Sequence, residues 1–255
     1  MTEAHRQLIL LAMPSIHAGA WRYPGAQPGF QSSFEHMKWF AQTLEQGCFD
    51  GLFLPDSLAL RAAPLASLMR SHSVATLDPL TLLPALAAVT RHIGLIATAS
   101  TTYNEPYNLA RKFASLDHLS EGRAGWNLVT GLIGGENFNR PEPPSHAERY
   151  ARAEEFFAVV SGLWDSWADD AFPRDKASGQ WLQPHRMHLL EHRGRHFQVQ
   201  GPLNAPRPLQ GWPVIAQAGS SGPGCELAAR CAELVFTAQT DLQQAKDFYV
   251  GLKDR

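Results

Sequence analysis

Short apolar runs alternate with amphipathic segments along most of the chain. The runs show little polar alternation, as is typical of strands that are covered on both faces of a parallel sheet. They predict six strands, at residues 7–12, 49–56, 93–100, 123–131, 213–219 and 232–238.

Helical spacing of apolar residues fills the intervals between these runs, and each amphipathic segment follows a residue that is favourable as an N-cap. The predicted caps are Ser32, Asp78, Asn104 and Ser145, and a last helix is predicted to start near Asp241. Residues 168–212, rich in Pro, Arg and His, form an insertion ahead of the fifth strand and contain a segment that reads as a hairpin.

Strands that alternate with helices predict a parallel sheet with right-handed crossovers, either closed as a barrel or left open. A dinucleotide-binding open sheet would show GxGxxG after its first strand, whereas this chain has "MPSIHAGAWRYPG" there. Small and polar residues instead follow the successive strands, at Asp56, 98–102, Asn127, Thr130 and 219–221. The ends of barrel strands converge on one face where active sites are built, so this pattern favours a (β/α) barrel.

The hydroxyl groups at 98–102 are expected to line the mouth of a pocket on that face. They are small enough for a planar ligand to approach the backbone and polar enough to bond to it. A helix-capping role explains any single Ser or Thr equally well, and that alternative stays open.

Composition excludes several classes of protein. The chain has 255 residues, 44% of them hydrophobic, and a formal charge of −2 without a basic run, which argues against a nucleic-acid partner. Its three cysteines form no CxxC pair, which suits a reducing compartment. The apolar run near the N-terminus is too short to span a bilayer. We therefore expect a cytoplasmic protein without membrane segments.

Two further motifs suggest chemistry that we do not expect. Four histidines have spacings that could bind a metal on a helix: His185, His188, His192 and His196. The last two of them lie in "HRGRHFQVQGPLN", which alternates and turns like a hairpin and has no acidic ligand or Cys grouped with it, so no metal site is predicted. "GSSGPG" lacks the Lys that a phosphate-binding P-loop requires.

Several longer segments resemble one family of enzymes. "ATASTTYNEPYNLARKFASLDHLSEGRAGWNLVT", "SHAERYARAEEF", "HRGRHFQVQGPLN" and "PVIAQAGSS" are similar to the flavin-dependent monooxygenases that include nitrilotriacetate and dibenzothiophene-sulfone monooxygenase, within the bacterial-luciferase-like barrels. The resemblance implies a (β/α)8 TIM barrel that uses reduced FMN and dioxygen to oxidise a small organic substrate. It also implies a separate NADH-dependent reductase as the source of reduced FMN.

The same resemblance implies a set of flavin contacts, which are Asp56, Thr98, His146, Tyr150, Ser220 and Ser221. Ser220 and Ser221 would hold the phosphate at a helix start, where free amides favour an anion. Thr98 would lie beside the ring, and Asp56 either faces the pocket or caps a helix. His17, after the first strand, is the candidate catalytic residue near the reactive edge of the flavin.

The chain contains about six of the eight strand-helix units of such a barrel. We expect one luciferase-like barrel domain over residues 1–255, incomplete at its C-terminus, whose open sheet edges favour a homo-oligomer. Three functions remain open at this point: a flavin monooxygenase, a flavin-binding barrel with impaired chemistry, and a barrel enzyme that uses no flavin.

Overall fold

A six-stranded parallel sheet forms the centre of the computed structural model, which describes residues 8–14, 19–60 and 63–255. Six strands form this sheet, and they are β1 Leu11–Ala12, β2 Gly51–Leu54, β3 Gly94–Ser100, β4 Ala124–Val129, β7 Val214–Gln217 and β8 Leu234–Val235. The strands β5 His192–Arg193 and β6 Gln198–Val199 form a separate pair. The sheet order is β1-β2-β3-β4-β7-β8, and every pairing in it is parallel. All six predicted strands are therefore present, in the order that a (β/α) barrel requires.

Helices connect the strands. They are α1 Phe34–Gln46, α2 Leu65–Leu68, α3 Pro79–Ala87, α4 Pro106–Leu119, α5 His146–Trp164, α6 Gly222–Cys231 and α7 Leu242–Lys253. The predicted caps Asp78 and Ser145 are confirmed, because each side chain accepts a hydrogen bond from the first turn of its helix. The predicted start of the last helix near Asp241 is also confirmed, and the Asp241 side chain caps it.

Two predicted caps are wrong by one residue. Ser33, not Ser32, has the extended backbone of an N-cap and accepts from the amide of His36, while Ser32 ends a short 3-10 turn. Glu105, not Asn104, precedes α4, because Pro106 with its fixed φ takes the first helical position. The Asn104 side chain instead donates to the Ser100 carbonyl at 2.8 Å.

The two faces of the sheet differ in chemistry because side chains alternate along each strand. The outer face packs against the helices and includes Trp126, whose ring lies 5.7 Å from that of Phe113 and 5.9 Å from that of Phe156. The inner face carries a smaller apolar cluster around Phe53 and Ile96. Thr98, two residues beyond Ile96, therefore points to the inside of the incomplete barrel.

The edge strands are shorter than the sequence predicts. β1 covers two residues where 7–12 was predicted, although residue 7 lies outside the described part, and β8 covers two where 232–238 was predicted. An edge strand pairs on one side only, so fewer of its residues are held in the ladder. The apolar side chains of Leu8 and Ile9, ahead of β1, are exposed.

The hairpin predicted within residues 168–212 is confirmed by the antiparallel pairing of β5 with β6. Glu155 of α5 anchors it by accepting from the amides of His196 and Phe197 at 2.9–3.1 Å and by contacting His192 Nε2 at 3.0 Å. Burial opposes ionisation of Glu155, but these hydrogen bonds outweigh it and hold its pKa below the usual range. The hairpin is thereby tied to α5, the helix that carries His146 and Tyr150.

Among the residues that the structure describes, no helix is both long and apolar enough to cross a membrane.

Candidate active site

A cavity of about 180 Å³ opens at the carboxyl ends of β2, β3 and β4. Its lining residues are Asp56, Ser57, Leu58, Thr98, Ser100, Tyr103, Val129, Gly131 and Ile133. The structure thus brings Asp56 and Thr98, which the sequence places 42 positions apart, to one cavity. His17, the predicted catalytic residue, lies outside the described residues.

Asp56 follows β2 by two residues and accepts a hydrogen bond from the amide of Ser57 at 2.8 Å. Burial raises the pKa of its carboxyl group, and the charge of Asp78 raises it further, against the opposing effect of the Ser57 bond. The alternative that Asp56 caps a helix is wrong, because the next helix, α2, begins at Leu65 with Pro64 at its N-cap. The carboxyl group instead lines the cavity.

Thr98 and Asn127 are cross-strand partners on the inner face of β3 and β4. Both are buried, and Asn127 donates from Nδ2 to the Thr98 hydroxyl at 2.9 Å. The other amide atom of Asn127, Oδ1, is buried without a hydrogen-bond partner among the described residues. A buried polar atom without a partner costs folding free energy, so its presence needs a reason other than stability.

Residues 131–140, which we call the cavity loop, close one side of the cavity. The Tyr103 ring stacks on Phe138 at 5.2 Å, and its hydroxyl donates to the Leu132 carbonyl at 3.3 Å. Asn137 donates to the Leu58 carbonyl, and Arg140 donates to the Thr102 carbonyl. The cavity loop therefore joins the segments that follow β2 and β3, and Gly131 and Ile133 of the loop line the cavity itself.

A second group of predicted residues meets where α5 and α6 begin. The rings of His146 and Tyr150, one turn apart on α5, lie 4.8 Å from each other. Ser221 caps α6 by accepting from the amide of Gly224 at 3.2 Å, and its hydroxyl donates to Tyr150 Oη at 3.4 Å. Ser220 precedes Ser221 and is exposed. The structure thus groups all four predicted residues around one turn, which we call the α6 turn (residues 219–222).

The α6 turn presents backbone donors to its surroundings. Gly219 donates its amide to Gln217 Oε1 at 2.6 Å. The amides of Ser220, Ser221 and Gly222 have no acceptor within the described parts of the chain. A Cβ atom at Gly222 would meet nothing within 4 Å, so space is open in front of the turn. Free amides at the start of a helix of this length form a favourable environment for an anion.

Sequence reasoning named Asn127 only as part of a polar cluster and did not single out Gln217 or Tyr103. Gln217 ends β7 and is 3% exposed, so it is a polar side chain in an otherwise apolar strand. That break in the apolar run "PVIAQAG" was the available signal. Tyr103 carried no such signal, because its role depends on the path of the cavity loop.

The two groups lie at the same edge of the sheet. The cavity follows the carboxyl ends of β2, β3 and β4, and the α6 turn follows the carboxyl end of β7, which pairs with β4. The carboxyl edge of a parallel barrel sheet is where the active sites of this fold are built. One extended ligand with a planar part and an anionic part fits this arrangement.

Comparison with known proteins gives evidence on the fold and the family of the chain. Nitrilotriacetate monooxygenase component A of Aminobacter aminovorans is 50% identical, over 96% of this chain and 56% of its own length. The crystal structure of a long-chain alkane monooxygenase superposes with a TM-score of 0.93 at 35% identity, over 98% of this chain and 61% of that one. The crystal structure of a riboflavin lyase, solved with modified FMN and riboflavin, superposes with a TM-score of 0.90 at 31% identity, over 98% of this chain and 58% of that one.

The chain spans little more than half the length of its curated relative. These likenesses confirm the predicted fold class, a partial (β/α)8 barrel of the luciferase-like type, and the resemblance to the nitrilotriacetate monooxygenase branch. Residues 13–253 match the family described as luciferase-like monooxygenase. The chain therefore belongs to the luciferase-like monooxygenase family.

Proposed function

We propose that this chain carries the flavin site of an FMN-dependent monooxygenase that oxidises a small organic substrate. The observation that carries the proposal is the meeting of free amides, hydroxyls and the Tyr150 phenol at the α6 turn. The cavity at the same edge of the sheet, which Asp56 and Thr98 line, supports it. Relatives that are named monooxygenases, and a related structure solved with modified FMN, support the choice of chemistry.

The residues present fit FMN. The amides of Ser220, Ser221 and Gly222 would hold the phosphate, together with the phenol of Tyr150. Because the Tyr150 oxygen accepts from Ser221, its own proton is free to be donated to a phosphate oxygen. His146, beside that ring, would donate to the same group. Thr98 and Asn127 would contact the flavin ring, and Asp56 would line the cavity beside the ring.

Reduced FMN would supply two electrons, so that one atom of dioxygen enters the substrate and the other leaves as water. The chain would bind and orient the flavin and keep water from the reacting region. The buried Thr98 and Asn127 and the cavity loop over them suit that task. His17 is the proposed catalytic residue.

The electrons would come from a separate NADH-dependent flavin reductase, because the sequence has no dinucleotide fingerprint after its first strand. Purified protein with FMN and NADH should leave NADH unconsumed until a flavin reductase is added. Steady NADH oxidation without a reductase would contradict this part of the proposal. A cytoplasmic location and a homo-oligomeric state belong to the same proposal.

Titration of the protein with FMN and with riboflavin tests the site directly, by flavin fluorescence. FMN should bind more tightly, because riboflavin lacks the phosphate. Tyr150→Phe should weaken FMN by about 1–2 kcal/mol, the range for a lost hydrogen bond to a charged group, and leave riboflavin unchanged.

Tyr103→Phe is the matched control, because it removes a phenol that bonds to the Leu132 carbonyl at the cavity. It should change FMN and riboflavin affinity equally. Equal affinity of the unmodified protein for both flavins would refute the phosphate placement, and the absence of saturable binding of either would favour a barrel enzyme that uses no flavin.

A further inference from the structure

Gln217 has a buried amide side chain, and it is not among the residues expected to contact the flavin. It is 3% exposed, and it ends β7 immediately before the α6 turn. Its backbone carbonyl accepts from the amide of Phe236 at 2.9 Å, which ties the residue to the end of β8. The backbone of Gln217 is therefore held in place next to the turn that its side chain contacts.

The side chain holds the first amide of the turn. Gly219 N lies 2.6 Å from Gln217 Oε1, a short distance for a hydrogen bond between an amide and a carbonyl oxygen. A backbone N–H can only donate, so the amide atom of Gln217 that faces it must be the oxygen. The Gly219 amide thus turns towards the protein, while the next three amides remain without an acceptor among the described residues.

Close packing keeps the turn in this geometry. A Cβ atom at Gly219 would lie 2.5 Å from Gln217 Nε2, 3.0 Å from Gly224 Cα and 3.1 Å from Tyr150 Oη. A Cβ atom at Gly224 would lie 3.0 Å from Gly219 Cα and 3.0 Å from Tyr150 Oη. Two glycines therefore meet beneath the Tyr150 phenol, and the turn has little space in which to change its path.

We infer that Gln217 is a positioning residue for anion binding at the α6 turn: its Oε1 binds the Gly219 amide and so directs the amides of Ser220, Ser221 and Gly222 outward, towards the flavin phosphate. The inference rests on the proposed function. Gln217 acts through the backbone of the turn, so its effect belongs to the phosphate and not to the flavin ring.

Gln217→Met tests the role, because methionine has a similar length and no acceptor of comparable strength. The measurement is the ratio of riboflavin Kd to FMN Kd, obtained by fluorescence titration. We expect this ratio to fall about five- to tenfold in Gln217→Met, the effect of a hydrogen bond that no longer orients the donors. Riboflavin affinity itself should stay the same.

Gln210→Met is the matched control. Gln210 also makes amide hydrogen bonds, to Asp117 and to the Ala124 carbonyl, but these lie away from the α6 turn. It should lower thermal stability and leave the Kd ratio unchanged. A second readout is the Gly219 amide proton in NMR spectra, which a short hydrogen bond shifts downfield and protects from exchange. Gln217→Met should remove both effects.

The outcomes separate the inference from the proposed function. If the unmodified protein binds FMN and riboflavin equally, the phosphate placement fails. If it prefers FMN and Gln217→Met keeps the full preference, or the Gly219 proton is unaffected, the positioning role is wrong while the flavin site stands. An equal fall in affinity for both flavins would also overturn the role, because it would show a general structural effect.

Discussion

Thr98 and Asn127 bond to each other on the buried inner face of the sheet, whereas Ser220 and Ser221 are exposed and leave their backbone amides without acceptors in the described chain. Both pairs lie at the carboxyl edge of the same sheet. The first pair is buried, and its polar atoms bond to each other apart from Asn127 Oδ1, which has no partner among the described residues. The second forms an open set of donors at a helix start.

This difference indicates that the two ends suit different parts of one ligand. Buried neutral groups favour a planar, weakly polar body, since an ion would lose its hydration there without a compensating charge. Exposed amides at a helix start favour an anion, because the helix dipole and the free N–H groups act together. FMN and riboflavin differ only in the phosphate, so comparing them separates the two ends.

The largest effect is expected from Gly135→Ala, which breaks the cavity end. A Cβ atom there would overlap the Arg140 carbonyl oxygen and lie 3.3 Å from Tyr103 Oη, so the cavity loop must move. We expect a loss of about 1–3 kcal/mol in the free energy of unfolding, the usual cost of overpacking. FMN and riboflavin should weaken together, as measured by denaturant unfolding and flavin titration.

Gly222→Ala is the control, because a Cβ atom at Gly222 has open space around it and lies at the other end of the site. It should leave stability within about 0.5 kcal/mol of the unmodified protein, as is usual for a surface substitution. A loss of stability in Gly222→Ala equal to that in Gly135→Ala would show that the cavity loop is no more constrained than the turn.

A smaller effect is expected from removing the buried hydroxyl. Thr98→Val keeps the shape of the side chain but leaves Asn127 Nδ2 without its acceptor, in addition to the unpartnered Oδ1. The expected cost is about 1–2 kcal/mol of unfolding free energy. The double variant Thr98→Val with Asn127→Val removes every one of these polar atoms, so stability should return to within about 1 kcal/mol of the unmodified protein.

Both variants should weaken FMN and riboflavin by the same factor, because the change lies at the ring end. Unfolding in urea and flavin titration on the single and double variants supply the measurements. If the double variant were as unstable as the single, the Thr98 and Asn127 pair would stabilise the fold itself, and its unpartnered oxygen would need no ligand to explain it.

The sequence predicted the sheet well because each strand lies in a short apolar run and most of the connecting helices begin at a residue whose side chain caps them. Asp78, Ser145 and Asp241 sit one residue before their helices, as their side-chain chemistry predicts. The cap predicted at Asn104 is wrong, because the fixed φ of Pro106 sets the start of α4. The Asn104 side chain donates to the Ser100 carbonyl and does not cap the helix. Local signals compete at such points, and the sequence alone does not rank them.

The site was predicted in parts. Residues that follow strand ends could be placed at one edge, and the resemblance supplied His146 and Tyr150. The structure sets these two rings side by side and bonds Tyr150 to Ser221. The contacts that shape the site could not be predicted, because they join distant segments. Tyr103 with Leu132, and Asn137 with Leu58, depend on the path of the cavity loop, which follows no periodic pattern.

The smallest effect concerns Asp56 and the dependence of stability on pH. Burial, with the charge of Asp78, raises the pKa of Asp56 in the folded protein, so the folded state holds this proton more tightly than the unfolded state does. The protonated Asp56 side chain thus contributes to the stability of the folded state, and this contribution is lost as pH rises through the raised pKa. The side chain in Asp56→Asn cannot ionise, so this variant should keep the contribution at every pH.

Without flavin, Asp56→Asn should therefore match the unmodified protein at about pH 3, below the ordinary Asp pKa, and gain on it as pH rises towards 7. We expect a gain of at most about 0.5 kcal/mol, the range for partly exposed positions.

Asp175→Asn is a control of opposite sign, because hydrogen bonds from Ser178 and from the Ala177 amide lower the pKa of that exposed carboxyl group. Its stability should instead fall behind that of the unmodified protein as pH rises. Urea unfolding of all three proteins at about pH 3 and about pH 7 measures both differences. A relative loss in Asp56→Asn between these values would show that the Asp56 carboxylate is stabilised in the folded cavity.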